Sequence, residues 1–222
     1  MFAIAIDGPA GAGKSTIART VAADLSFTYV DTGAMYRAIG VFAVRSGCDP
    51  KCSAEVVPLL KQIQISLTYS EADGQQIFLN GENISADIRL PQMAMAASAV
   101  SSIPEVRAFL LDQQRNMAKT QNVIMDGRDI GTVVLPDAQV KIFLTASCEE
   151  RARRRWLEHQ QKGVETTYDE ILADVKQRDY QDTHRAIAPL KPAEDAVLLD
   201  STSMNFAETV EAVKKIIKER CF

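Results

Sequence analysis

The stretch Gly8-Pro9-Ala10-Gly11-Ala12-Gly13-Lys14-Ser15 constrains this chain more than any other. It has the pattern G-x-x-x-x-G-K-[ST]; the apolar run Phe2 to Ile6 leads into it, and the helical repeat Ile17, Val21, Leu25 leaves it. Strand, glycine loop and helix form the setting in which that pattern holds phosphate. The glycines reach backbone angles closed to other residues, so successive N–H groups can turn inward around an anion at a helix N-terminus, where the dipole adds to the attraction. Lys14 is then placed to reach the outer phosphates and Ser15 to ligate Mg²⁺. Gly8, Pro9, Ala10, Gly11, Ala12, Gly13, Lys14, Ser15 and Thr16 are therefore expected to line the phosphates of a nucleoside triphosphate. The loop does not say what receives the phosphate.

Composition narrows the setting. A 222-residue chain with 46% hydrophobic and 24% charged residues can bury one substantial core, with room for an insertion. A net charge of −4 argues against a broad nucleic-acid or anionic-membrane surface, so phosphate recognition must be local. Cys48, Cys52, Cys148 and Cys221 are too irregularly spaced for a disulfide framework, and with only two histidines a zinc site is not expected. Asp7 and the glycine loop cut the N-terminal apolar run short, so no signal peptide or membrane span is read there and a cytoplasmic location is the default.

Taken in order, the chain alternates strands and helices. Phe2–Ile6 reads as a strand buried on both faces, followed by a helix to about Ser26 and a second strand, Phe27–Val30, ending in Asp31-Thr32-Gly33. Met35, Ile39 and Phe42 mark the next helix, which stops at Ser46-Gly47, and Ser53 is expected to cap another. From Ile65 to Ile88 apolar and polar residues alternate around turns at Glu71-Ala72-Asp73-Gly74 and Asn80-Gly81, which predicts a small antiparallel sheet. Asp87 and Arg89 on its return path read either as an exposed ion pair or as site residues. Pro91 to Ala118 is helical with a break at Ile103-Pro104; Asn122–Met125 and Val140–Leu144 are strands; Ser147 with Glu150 and Thr167 with Glu170 predict capping boxes. Ala196–Leu199 is a last strand before a C-terminal helix. The fold class that follows is α/β, a doubly wound parallel sheet with a small antiparallel insertion at about 61–97.

Ligands in such sheets bind beyond the carboxyl ends of the strands. Asp126, at the end of an apolar strand, is expected to complete Mg²⁺ coordination, and Arg128 and Asp129 leave the same turn. Arginine there can clamp an acceptor phosphate, and the aspartate can accept from an amino group. Arg178, Asp182 and Arg185 fall on one stripe of a helix read from Thr167 to His184. The run Arg151 to Arg155 is the densest positive cluster and is read as a helical lid at about 151–167 closing over the transferring phosphate, with Arg154 its catalytic candidate.

With these residues assembled, the sequence resembles the bacterial cytidylate kinases, of the nucleoside monophosphate kinase group of P-loop kinases. The resemblance spans nearly the whole chain, read as a single domain over 1–222. It rests on Gly8–Ser15, Asp31-Thr-Gly-Ala-Met-Tyr-Arg37, Asp126-Gly-Arg-Asp-Ile-Gly-Thr-Val-Val134 with Pro136-Asp137, and Arg178-Asp179 through Arg185-Ala-Ile-Ala-Pro189. It implies transfer of the γ-phosphate of ATP to CMP or dCMP with Mg²⁺, by a monomer. It further implies that Ser98, Arg107 and Asp129 read the cytosine edge, that Thr32, Arg37, Arg128 and Arg185 hold the acceptor phosphate, that Arg178 and Asp182 contact the sugar, and that Tyr36 lines the pocket. Some members have another small residue where Ser15 stands. A kinase for another small acceptor, such as shikimate or a different nucleotide, is the nearest alternative. A nucleotide-binding switch is the more distant one; the chain lacks the N-K-x-D base-reading motif and carries arginines on several elements where a second anion would sit.

Overall fold

The computed structural model describes residues 1–70 and 74–221. The elements in chain order are β1 (Ala3–Asp7), α1 (Lys14–Leu25), β2 (Thr28–Asp31), α2 (Thr32–Arg45), α3 (Ser53–Leu59), β3 (Ile65–Ser70), β4 (Gly74–Leu79) and β5 (Glu82–Asn83). There follow α4 (Pro91–Val100), α5 (Pro104–Thr120), β6 (Val123–Gly127), β7 (Val140–Thr145), α6 (Cys148–Gln161), α7 (Tyr168–His184), β8 (Val197–Asp200) and α8 (Phe206–Cys221). They form two compact units, one of Met1–Tyr29 with Ala118–Phe222, the other of Val30–Met117.

The five-stranded sheet has the order β2-β6-β1-β7-β8, and its strands β1, β6, β7 and β8 belong to the first unit. β1 lies parallel to β6 on one side and β7 on the other, and β8 is parallel to β7. Every residue of β1 and β6 is buried, which is why both read as unbroken apolar runs ending in an acidic residue or the residue before a turn. Ile4, Ile6, Ile124, Ile142 and Leu144 of the sheet pack with Ile17 and Val21 of α1 and with Val210, Val213 and Ile217 of α8. Parallel register sets Ile6 beside Asp126 and Asp7 beside Gly127, so both carboxylates emerge at the carboxyl edge of the sheet, where the glycine loop also begins. α6 and α7 share a smaller core of Ala152, Ile171 and Val175.

The second unit holds the three-stranded antiparallel sheet, order β3-β4-β5, whose inward residues Ile65, Ile77 and Leu79 join a core with Met35 and Ile39 of α2, Met93 and Val100 of α4, and Val106 and Leu110 of α5. The alternation over Ile65–Leu79 thus marks the apolar face of a real hairpin. Its turn at Glu71-Ala72-Asp73 lies outside the described residues. Asp87 is paired with Arg45 at 3.5 Å, and Arg45 also grips Glu82 at 2.8 Å.

Helix ends show where local chemistry decided and where it was overruled. Asp31 accepts the Ala34 N–H at 2.9 Å, so Thr32 and Gly33 are already helical; such a cap contributes about 1 kcal/mol. Thr167 and Glu170 form the full reciprocal capping box. Ser147 accepts from the Glu150 N–H, but the Glu150 carboxylate is drawn to Arg153 and Arg154, each at 2.8 Å, and does not return to the cap. α3 is entered from Cys52, with Ser53 its first helical residue and not its cap. α7 ends at His184 and Arg185 takes an extended conformation (φ −64°, ψ 141°), so the stripe of Arg178, Asp182 and Arg185 is not one helical face.

Candidate active site

The glycine loop leaves β1 under tight steric control. Gly8 has φ 149°, and a Cβ there would stand 1.9 Å from the Leu144 carbonyl oxygen on β7. Only glycine lets the chain turn that close to the neighbouring strand. Lys14 opens α1 and is 5% exposed, its Nζ donating to the Pro9 carbonyl at 2.7 Å. Burial, and then the Arg128 guanidinium, push its ammonium well below the ordinary lysine range, against the pull of Asp126, Asp7 and Asp182. A side chain so placed gains most from an arriving polyanion.

Ser15 and Asp126 are brought together from residues 111 apart, the hydroxyl donating to Asp126 Oδ2 at 2.7 Å. Asp126 Oδ1 accepts from the Tyr29 hydroxyl at 2.9 Å. One alcohol and one buried carboxylate are hard oxygen donors of the kind that Mg²⁺ takes in small number, keeping most of its waters. Among the described residues no group of three or more His, Cys, Asp or Glu side chains could hold a metal ion, so a site demanding a full protein cage has no candidate there. The pair Ser15–Asp126 fits Mg²⁺. Tyr29 was not foreseen: in the sequence it is one more β-forming residue of a strand, and nothing local marks its hydroxyl as a partner of a carboxylate.

Two and three residues beyond Asp126 the same segment carries Arg128 and Asp129. Arg128 Nε donates to Asp182 Oδ2 at 2.8 Å, and Arg185 Nη2 lies 3.3 Å from Asp129 Oδ1. Asp129 and Asp182 are buried. Burial alone would raise the Asp182 carboxyl, but Arg128, with Arg178 and Arg185 behind it, holds it below the ordinary range. Two arginines are thus held in a fixed pose by acidic partners, the kind of fork that suits a bidentate oxyanion.

After Asp129 the chain makes one wide turn of π-helix, Ile130–Val134, which the sequence reading did not anticipate. Asp129 O accepts from Val133 N at 2.9 Å and Val134 N at 3.1 Å. Its amino end is bound by Asp7, which accepts the Ile130 and Gly131 N–H groups, each at 2.7 Å. Burial drives the Asp7 carboxyl up to about 6, with Asp129 adding to the rise and the two N–H donors opposing it. Because the folded-state value lies above the ordinary 3.8, the folded protein holds this proton more tightly than the unfolded chain between about pH 4 and 6. Stability from this group is therefore present at low pH and is lost as pH rises through 6, an effect on the order of 3 kcal/mol. Denaturant unfolding of wild type and Asp7→Asn at pH 4 and pH 7.5 checks this: the difference should shift toward the variant at the higher pH, and parallel profiles would refute it.

The arginines of α6 have separate occupations. Arg151 is 3% exposed; it donates to the Ala146 and Ala10 carbonyls, each at 2.9 Å, and makes a two-pronged ion pair with Asp179 of α7. It is a strut joining the glycine loop to α6 and α7. Arg153 pairs with Glu150, and Arg154 donates to the Ser201 carbonyl at 2.7 Å as well as to Glu150.

The second unit carries the other predicted residues. Arg37 is paired with Asp31 at 2.7 Å, Thr32 is buried in the first turn of α2, and the Arg107 guanidinium lies 5.7 Å from the centroid of the Tyr36 ring and donates to the Ser101 carbonyl at 3.3 Å. The Ser98 carbonyl accepts from the Ser101 hydroxyl at 2.9 Å, on the same α4–α5 bend.

The cytidylate kinase family profile matches residues 4–219. A cytidylate kinase of Caldanaerobacter subterraneus subsp. tengcongensis is 50% identical over 97% of this chain and 94% of its own length. One of Limosilactobacillus reuteri is 47% identical over 97% of this chain and 95% of its own. Among solved structures, an uncharacterized protein from Eubacterium ventriosum aligns over 98% of both chains at 12% identity with a TM-score of 0.52, a likeness of fold alone. A glycine loop opening a helix beside a serine–aspartate pair, an arginine-clamped turn, and this match in sequence over almost the whole chain place the protein in the cytidylate kinase family, enzymes that transfer a phosphoryl group to a nucleoside monophosphate.

Proposed function

We propose that the protein transfers the γ-phosphoryl group of ATP to CMP or dCMP, with Mg²⁺, yielding ADP and CDP or dCDP. The observation that carries this reading is the division of labour within residues 126–129. Asp126 is bonded to Ser15 of the glycine loop, whereas Arg128 and Asp129, on the same turn, are tied to Asp182 and Arg185. Donor and acceptor functions are thereby carried on one rigid strand end, as in-line transfer requires.

In the step itself an oxygen of the acceptor monophosphate bonds to the γ-phosphorus as the bond to the β,γ-bridging oxygen breaks, and the electron pair leaves with ADP. Lys14 and the loop N–H groups hold the donor phosphates; Arg128 and Arg185 hold the acceptor phosphate; Arg178 and Asp182 take the sugar. Ser15 and Asp126 would hold Mg²⁺, which would neutralise the charge that develops on the transferring phosphoryl group. The Asp129 carboxylate accepts from the exocyclic amine of cytosine and meets a repelling oxygen in uracil. By family resemblance Thr32, Tyr36, Arg37, Ser98 and Arg107 are further acceptor-binding candidates, and Arg154 is the candidate for the transferring phosphate.

The test is ADP formation from ATP and Mg²⁺ with a panel of monophosphates and with shikimate. CMP and dCMP should give the highest kcat/KM, and a preference for any other acceptor overturns the assignment. Asp129→Ala should lower the CMP-over-UMP ratio of kcat/KM about tenfold, the worth of one mispaired buried acceptor. An unchanged ratio would remove Asp129 from base recognition.

A further inference from the structure

Asp7 is a buried charge that the reaction outlined above does not use. It ends β1, is 4% exposed, and sits in register between Gly127 of β6 and Phe143 of β7. A carboxylate in such a place is destabilising unless its oxygens are matched, and each of them accepts one backbone N–H at 2.7 Å, from Ile130 and Gly131. Those two donors belong to the peptide groups that immediately follow Asp129. Within the same peptide unit as the Ile130 N–H, the Asp129 carbonyl is held by the N–H groups of Val133 and Val134. With that carbonyl and the next two amides all bonded, the chain that follows the Asp129 Cα is held in place, at angles (φ −148°, ψ 26°) outside the regular helical and strand regions.

The packing around Gly131 points the same way. A Cβ on Gly131 would lie 3.1 Å from Lys141 Cδ and 3.4 Å from Asp7 Oδ2. Lys141 is itself fixed, its Nζ donating to the Pro136 carbonyl and, at 2.9 Å, to Asp195. The bare glycine therefore keeps room for the carboxylate against an immobile lysine stem.

We infer that Asp7 is a positioning residue for acceptor selection: by clamping the Ile130 and Gly131 N–H groups it sets the direction in which the Asp129 carboxylate and the Arg128 guanidinium face the acceptor nucleotide. Its influence is on the acceptor side of the reaction, although its place in the sequence, next to Gly8, suggests service to the donor. The inference rests on the reading of Asp129 as the base-selecting residue. A carboxylate reaching two successive N–H groups cannot be replaced by an amide without turning one NH₂ hydrogen toward a donor, so Asp7→Asn rotates the turn without removing volume.

Steady-state kinetics of wild type, Asp7→Asn and Gly131→Ala with CMP, UMP and ATP test this. Asp7→Asn should raise KM for CMP and lower the CMP-over-UMP ratio of kcat/KM, each about fivefold, with KM for ATP within about twofold, since a small misorientation of a recognition group is felt only by the ligand it faces. Gly131→Ala should move the same quantities in the same direction by a smaller factor. A merely structural Asp7 would lower the unfolding midpoint and leave the ratio alone, and that result overturns the inference. So does an equal rise in KM for ATP, which would make Asp7 a support of the glycine loop. Should Asp7→Asn fail to fold, Gly131→Ala decides, an unchanged ratio again counting against the inference. A wild type with no preference for CMP over UMP overturns the reading of Asp129 itself; a wild-type preference that survives both variants overturns only the role of Asp7.

Discussion

Lys14→Ala is expected to lower kcat about a thousandfold, equivalent to about 4 kcal/mol of transition-state stabilisation. The size follows from where the ammonium sits. It is buried at the first residue of α1, where its Nζ donates to the Pro9 carbonyl of its own loop. Charge placed in a site from which water is excluded acts at a low effective dielectric, so its removal costs far more than loss of a surface lysine. Phosphoryl transfer makes little covalent demand on the protein and a large electrostatic one, which puts this side chain among the most expensive to lose. The fold should survive, because Lys14 closes no core and its neighbours Ile17 and Val21 pack without it. Turnover at saturating ATP and CMP, with a thermal unfolding scan as control, measures the effect; near-normal kcat would exclude Lys14 from the chemistry.

The second large effect is expected at Asp126. Asp126→Asn keeps the shape of the side chain and removes its charge, and it leaves one of two hydroxyl donors, Ser15 or Tyr29, facing an amide NH₂. The Mg²⁺ concentration for half-maximal activity should rise about 10–100-fold, and kcat/KM at low Mg²⁺ should fall in parallel. Tyr29→Phe removes only the hydroxyl that orients Asp126 and should show the same shift at the lower end of that range. A titration of activity against Mg²⁺ for the three proteins gives the comparison. If Asp126→Asn has a normal Mg²⁺ dependence, Asp126 has no part in holding the ion.

These two residues also show how unevenly the site was legible. Lys14 could be read because every group it needs is adjacent in the chain: three glycines, a serine and the start of a helix within eight residues. Asp126 was legible from a weaker cue, an acidic residue ending a fully apolar strand, where a core has no use for charge. Asp7 ends β1 in the same manner, yet within the sequence it reads only as the end of an apolar run. The cue was identical, and a rule applied at position 126 would have found position 7. Arg151 was misjudged in the other direction: a run of arginines on a helix suggests mobile cations, whereas this one is locked between Ala10, Ala146 and Asp179. Helical spacing likewise joined Arg185 to Arg178 and Asp182, but α7 stops one residue short of it.

By itself the sequence determined the parts whose energetics are local: the phosphate-binding loop, the unbroken apolar strands of a buried parallel sheet, the alternating hairpin, the cap at Thr167 and the break at Pro104. Each of these depends on backbone angles or side-chain periodicity within one or two turns of chain. Tertiary structure alone decided which charges meet. Ser15 and Asp126 are 111 residues apart, Tyr29 and Asp126 are 97, and Asp7 and Ile130 are 123. A buried carboxylate is stable only where donors arrive from other parts of the chain, and for Asp7 and Asp126 the register of β1 against β6 helps to fix that arrival, a property of the packed sheet that no single segment encodes.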